Sequence, residues 1–98
     1  MNKQREIKTT SVVQRESDVL FSKMDGEVVM LSIQNSEYYG LNEIGSQIWE
    51  MIAQPVKVEK IIDGLMKDYE VNRQQAETDI LPLLEELKRK KILHLVYE

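Results

Sequence analysis

The sequence has no cysteine. That excludes disulfides, thiolate-ligated zinc and a cysteine nucleophile, and it fits a reducing compartment. Histidine occurs once, as His94, flanked by Leu93, Leu95 and Val96, with no second histidine or cysteine to complete a metal-ligand set. A structural or solvent-facing role is expected for it. The four glycines, Gly26, Gly40, Gly45 and Gly64, are scattered, so neither a dinucleotide fingerprint nor a phosphate-cradling loop can be assembled. Carboxylates are plentiful, but Asp79, Glu85 and Glu86 fall on polar helical faces, where solvation is the ordinary explanation. With no nucleophile and base, paired carboxylates, metal cluster or phosphate cradle, catalysis lacks its components, and neither a metal nor a cofactor is expected.

Long apolar runs are also missing: none approaches the roughly 20 residues of a membrane-spanning helix. The net charge of -4 gives no general attraction to phosphate or anionic lipid, so neither nucleic acid nor membrane is an expected partner. The first 17 residues are polar and lack the apolar run of a secretory signal, which sets the expectation of a cytoplasmic protein. In a chain of 98 residues, 42% hydrophobic and 31% charged, one domain is expected. We place it at residues 18–98, after a flexible N-terminal segment, 1–17.

What is present changes character once, near Asn42, from β-rich to helical. Val19-Leu20-Phe21 opens a strand that Asp25-Gly26 turns back, since this dipeptide tolerates the positive φ of a tight hairpin. Glu27 to Ile33 reads as a central strand, Gln34-Asn35-Ser36 as a turn, and Glu37 to Leu41 as a third strand at the edge. Asn42 caps a first helix with Ile44, Ile48, Met51 and Ile52 at helical spacing, Trp49 on its flank and Pro55 as its stop. Val58, Ile61, Ile62, Leu65, Met66 and Tyr69 form the stripe of a second helix. Asn72 and Gln75 resemble a capping box, opening a third helix with Ala76, Ile80, Leu83, Leu84 and Leu87 on one stripe. Pro82 inside it predicts a bend. Leu93 to Tyr97 reads as a short strand or extended tail.

The two edge strands differ. The first has Asp18 and Lys23 near its ends, whereas Glu37 to Leu41 has no lysine or proline to discourage pairing with another chain. Such an edge accepts a peptide strand, with main-chain hydrogen bonds for affinity and flanking pockets for side-chain selection. Tyr38 and Tyr39 point to opposite faces, one toward the core and one toward a surface groove. A proline at Tyr39 is the substitution expected to spoil the edge.

The runs Asp25-Gly26-Glu27-Val28-Val29-Met30-Leu31, Tyr38-Tyr39-Gly40-Leu41-Asn42-Glu43-Ile44-Gly45 and Ile48-Trp49-Glu50-Met51-Ile52 together resemble the PqqD-like peptide chaperones, most clearly their lasso-peptide branch. The resemblance continues through Val58 to Tyr69, Ala76 to Ile80, Leu83-Leu84 and Leu87. It implies a RiPP recognition element of α+β class: a winged helix-turn-helix with a three-stranded antiparallel sheet packed on three helices. The implied role is to bind the leader segment of a lasso precursor peptide by strand addition. A cysteine leader peptidase and a macrolactam synthetase are the implied partners. Carried onto this chain, the peptide-binding residues are Glu37, Tyr38, Tyr39, Gly40 and Leu41 on the strand side and Asp79, Ile80 and Leu83 on the helix side. Pro82 departs from what the resemblance leads one to expect there.

Three rival readings remain at this level. One is a chaperone for another peptide-modifying enzyme, of the quinone-cofactor type. A second is a DNA-binding winged helix, drawing on Lys88 to Lys91, although cations in a last turn also complement the helix dipole and the acidic residues of the same helix repel phosphate. The third is a structural interaction domain that dimerises through the same edge.

Overall fold

The computed structural model describes residues 6–96. In chain order it contains β1 (Val12–Arg15), β2 (Val19–Met24), β3 (Glu27–Ser32), β4 (Glu37–Leu41), α1 (Glu43–Met51), β5 (Val56–Lys57), α2 (Val58–Asp68), α3 (Arg73–Arg89) and β6 (Leu93–Leu95). The class is α+β, and the three helices and the antiparallel β2-β3-β4 sheet are those the sequence patterns predict.

Local chemistry sets the boundaries. Asp25 and Gly26 both adopt positive φ, 55° and 84°, and join β2 to β3 in a two-residue turn with Met24 opposite Glu27. The Asn42 side chain accepts the Gly45 amide at 2.9 Å and caps α1. The Asn72 side chain likewise accepts the Gln75 amide at 2.8 Å and caps α3, but the Gln75 side chain turns to Asp79, so only half of the expected capping box forms. Pro82 lies within α3, whose residue range is unbroken from Arg73 to Arg89.

One core serves all the elements. Val28 and Met30 of the sheet, Ile48, Trp49 and Ile52 of the first helix, Ile61 and Ile62 of the second, Ile80, Leu84 and Leu87 of the third, and Ile92 and Leu93 beyond it are all buried together. Trp49, expected on the flank of α1, is 1% exposed and belongs to this core. Its indole is the edge-to-face partner of Phe21, with ring centroids 5.3 Å apart.

The main departure from expectation lies at the N-terminus. Residues 1–17 read as a flexible segment outside the domain, yet β1 is the middle strand of a second antiparallel sheet, ordered β5-β1-β6. Val13 is fully buried. The flanking backbone is tied in as well: Arg15 N–H donates to Ile52 O, Glu16 N–H to Ile92 O, and Val58 N–H to Ser11 O. Val12-Val13 is too short an apolar run to announce a strand, and its partners, Val56–Lys57 and Leu93–Leu95, are remote in sequence. Of the N-terminal segment, Met1 to Arg5 lie outside the described residues; of the terminal extended stretch, β6 is its strand and Tyr97 lies outside.

This placement has a measurable consequence. Truncating Val13 to alanine removes two methyls from a sealed site and should cost about 2 kcal/mol. Urea denaturation checks this: the midpoint should fall at unchanged m-value, whereas a flexible tail would leave it where it was.

Candidate functional site: the free edge of the sheet

The register shows which backbone groups are available. A two-residue turn makes Met24 and Glu27 a hydrogen-bonded pair, so along β3 the residues Glu27, Val29 and Leu31 turn their N–H and C=O toward β2. Val28, Met30 and Ser32 therefore turn theirs toward β4, where they face Leu41, Tyr39 and Glu37. What remains is the outward row: the N–H and C=O of Tyr38 and Gly40 point away from the sheet. β4 has no partner on that side among the described residues.

Ser46 supports this assignment independently. Its buried hydroxyl accepts the Val28 N–H at 2.8 Å and donates to Leu41 O at 3.1 Å. It thus stands inside the last rung of the β3–β4 ladder, and both groups it bridges face inward.

The parity corrects one sequence expectation. The Tyr39 N–H faces β3, so a proline there would break the sheet's own ladder rather than its free edge; the outward donors are those of Tyr38 and Gly40.

Side chains alternate accordingly. Glu37, Tyr39 and Leu41 share the face toward the helices, with Leu41 buried and Tyr39 half-buried against the core. Tyr38 lies on the opposite face, 75% exposed. Of the helix-side residues, Ile80 is buried, Leu83 packs half-buried against the core, and Asp79 is exposed, taking two hydrogen bonds from the Gln75 amide.

α3 meets the β4 region at both ends. At the start of β4, Asn35 of the β3–β4 turn donates through its side chain to Lys90 O at 2.6 Å, and Lys90 Nζ lies 5.0 Å from the centre of the Tyr39 ring. Beyond the end of β4, Ile44 of α1 joins Asp79 and Ile80 of α3 around a small cavity of about 50 Å³, completed by Leu65, Tyr69, Val71 and Ala76. Asp79 and Ile80 thus sit together beside Ile44, which follows β4 in the chain, and Lys90 lies by Tyr39 in the middle of the strand. The sequence reading did not associate Asn35, Ile44 or Lys90 with this region. Ile44 read only as part of a helical stripe, and Lys90 as a dipole-complementing cation; nothing local in the sequence brings either to β4.

Glu37 sets the electrostatics of the strand. It accepts the Tyr39 phenol proton, and this bond, aided by desolvation and by the nearby negative charge, holds the Tyr39 hydroxyl above the usual tyrosine range. On α3, a hydrogen bond from Arg89 holds the Glu86 carboxyl below its ordinary value. The basic run is largely engaged: Lys88 pairs with Glu85, and Arg89 and Lys90 with Glu86. Among the described residues no cluster of His, Asp or Glu could hold a metal ion, and no helix is long and apolar enough to cross a membrane.

A sheet edge without a partner among the described residues is a place where an added strand can pair. The model of the family described as "Coenzyme PQQ synthesis protein D (PqqD)" matches residues 27–93, and the chain belongs to that family. It is similar to the solved structure of "TbiB1 in Complex with the TbiA(beta) Leader Peptide", with 32% sequence identity over 87% of this chain and 98% of that one and a TM-score of 0.78. It also shares its fold with "Lasso peptide synthetase B1 complexed with the leader peptide", at 24% identity, 84% and 96% coverage and a TM-score of 0.74. A comparison with curated proteins found no match.

The Glu37–Tyr39 bond can be tested by titration. The folded state favours the neutral phenol, so whatever this bond contributes is present at neutral pH and lost as pH rises through the elevated Tyr39 value. In an NMR titration Tyr39 should ionise above the usual tyrosine range, and Glu37→Gln should lower its midpoint.

Proposed function

We propose that this chain binds the leader segment of a ribosomally made lasso precursor peptide as an added strand on β4 and presents it to processing enzymes. The observation that carries the reading is the outward row of Tyr38 and Gly40 backbone groups, left unpaired beside α3 in a chain 32% identical to a protein solved with its leader peptide. Backbone pairing supplies affinity that does not depend on guest sequence, and side chains along the flanks supply choice. Glu37, Tyr39 and Leu41 border the guest on the helix side, with Asp79, Ile80 and Leu83 beyond; Tyr38 borders it on the solvent side.

In this reading the protein is a non-catalytic cytoplasmic accessory whose partners are a cysteine leader peptidase and a macrolactam synthetase. A lasso precursor is preferred to a quinone-cofactor precursor on the resemblance carried by residues 25–31, 38–45 and 48–52, and both similar solved structures hold a leader peptide. DNA binding gains no support: the cations ending α3 are held by Glu85 and Glu86 of the same helix.

Calorimetric titration with the leader of the precursor encoded beside this chain should give micromolar or tighter binding that changes little between about 50 and 300 mM salt, because backbone pairing and apolar contact supply the energy. Tyr38→Pro removes one outward donor while sparing the β3–β4 ladder. It should weaken binding by about tenfold or more beyond Tyr38→Ala, the equivalent of about 1.4 kcal/mol. Equal affinity of the two variants, both folded by circular dichroism, would sink strand addition at this edge.

A further inference from the structure

The segment before β1 is tied to two helices. Ile7 is 5% exposed and joins the core, and its N–H donates to Glu85 Oε2 of α3 at 2.6 Å, across 78 positions of sequence. A turn follows at once: Lys8 N–H donates to Ser11 Oγ at 2.8 Å, and Ser11 N–H donates back to Lys8 O at 3.0 Å. From this turn Thr9 O and Ser11 O accept the Glu59 and Val58 amides, at 3.0 and 2.9 Å, where α2 begins.

These carbonyls stand in for a capping side chain. Lys57, at the N-cap of α2, makes no side-chain hydrogen bond to the helix, so two of the amides that open α2 depend on the segment instead. At its other end the segment meets a carboxylate that Lys88 Nζ also approaches, 3.2 Å from Oε1. An amide bonded to a charged acceptor is held more firmly than one bonded to a neutral group. Residues 7–11 thus lace the start of α2 to the second half of α3.

That half of α3 has need of a brace. Pro82 has no N–H, so the Thr78 carbonyl loses its helical partner, and Leu83 to Arg89 are joined to the first half of the helix by one bond fewer. Helical spacing sorts the faces. With Ile80, Leu84 and Leu87 in the core, Leu83 and Lys90 fall on the flank toward β4 and Glu85 on the other. The segment therefore holds α3 from the side away from the proposed guest.

We infer that Ile7–Ser11 is a strap that sets the helix wall of the receiving edge: latched to Glu85 and to the start of α2, it keeps the part of α3 beyond Pro82 where a guest strand on β4 requires it. This rests on the strand-addition reading and adds a control of the same site from the N-terminus. Ile7 and Glu85 lie off the guest's path and are positioning residues, acting through α3. A wall that wanders has to be ordered again whenever a peptide enters. One that is in place only about a third of the time lowers affinity about threefold.

Two variants break the latch from opposite sides. Ile7→Asp sets a second carboxylate beside Glu85 in a buried place and expels the strap. Glu85→Leu removes the acceptor at a partly exposed position and leaves Ile7 intact, while Glu85→Gln keeps an acceptor for the Ile7 amide. In the free protein, hydrogen exchange of the amides from Leu83 to Arg89 should quicken about tenfold in the first two, the loss expected of one hydrogen bond to a charged group, and stay near the unaltered rate in the third. Affinity for the same leader peptide should fall about threefold or more in Ile7→Asp and Glu85→Leu and recover in Glu85→Gln. Val13→Ala, which lowers stability without touching the latch, should bind the leader as the unaltered protein does. Unchanged α3 exchange in both latch-breaking variants would overturn the strap. Quickened exchange with unchanged affinity would overturn its control of the site and leave strand addition standing, and an equal loss of affinity in Val13→Ala would assign the effect to general instability and overturn that control too. If the unaltered protein binds no leader, the strand-addition reading has failed and the control falls with it.

Discussion

The two-residue turn at Asp25-Gly26 governs the functional reading of this molecule through parity. Because the turn closes on Met24 and Glu27, every later rung of the sheet has its orientation assigned, and the outward groups of β4 belong to Tyr38 and Gly40. A slip of one residue would exchange the two faces, placing Tyr38 among the helices and Tyr39 in water. The positive φ at both turn positions makes Asp-Gly a fitting sequence there. Ser46 secures the far end, where its hydroxyl satisfies Val28 and Leu41 at once in a buried position.

Much of this was legible from local chemistry. The hairpin dipeptide, the helical stripes and the Asn42 and Asn72 caps each act within a few residues, and the structure places strands and helices where they indicate. The undefended character of Glu37 to Leu41 was legible for the same reason, since a strand advertises or conceals its edge through its own side chains. Contacts between distant segments were not. β1 needs two partners, one more than 40 residues further on and one about 80, and its only strong apolar signal is Val12-Val13. On the helix side the sequence indicated Asp79, Ile80 and Leu83, while the contacts that bring α3 to β4 pass through Asn35, Lys90 and Ile44, whose roles appear only once the turn and the helix ends are folded together. Periodicity identified the buried stripe of α1 but not how far Trp49 is enclosed, because that depends on Phe21 and Arg15 arriving from two other elements.

The second sheet steadies the first from behind. Arg15, at the end of β1, lays its guanidinium 4.5 Å from the centre of the Trp49 ring and 4.7 Å from that of Phe21, and donates to Trp49 O at 3.1 Å. One cation therefore joins β1 to β2 and α1. It meets the Trp49 carbonyl near the C-terminus of α1, an end that has no basic side chain of its own in its last turn. The β2 side of the sheet thus carries the molecule's own cation and rings, and β4 lies two strands away.

That arrangement has an optical corollary. Trp49 is the chain's sole indole, and it lies on the β2 side of the sheet, packed against Phe21 and under a guanidinium. Its emission is placed to register separation of the two sheets during denaturation, whereas occupation of the opposite border would leave it nearly dark to the event.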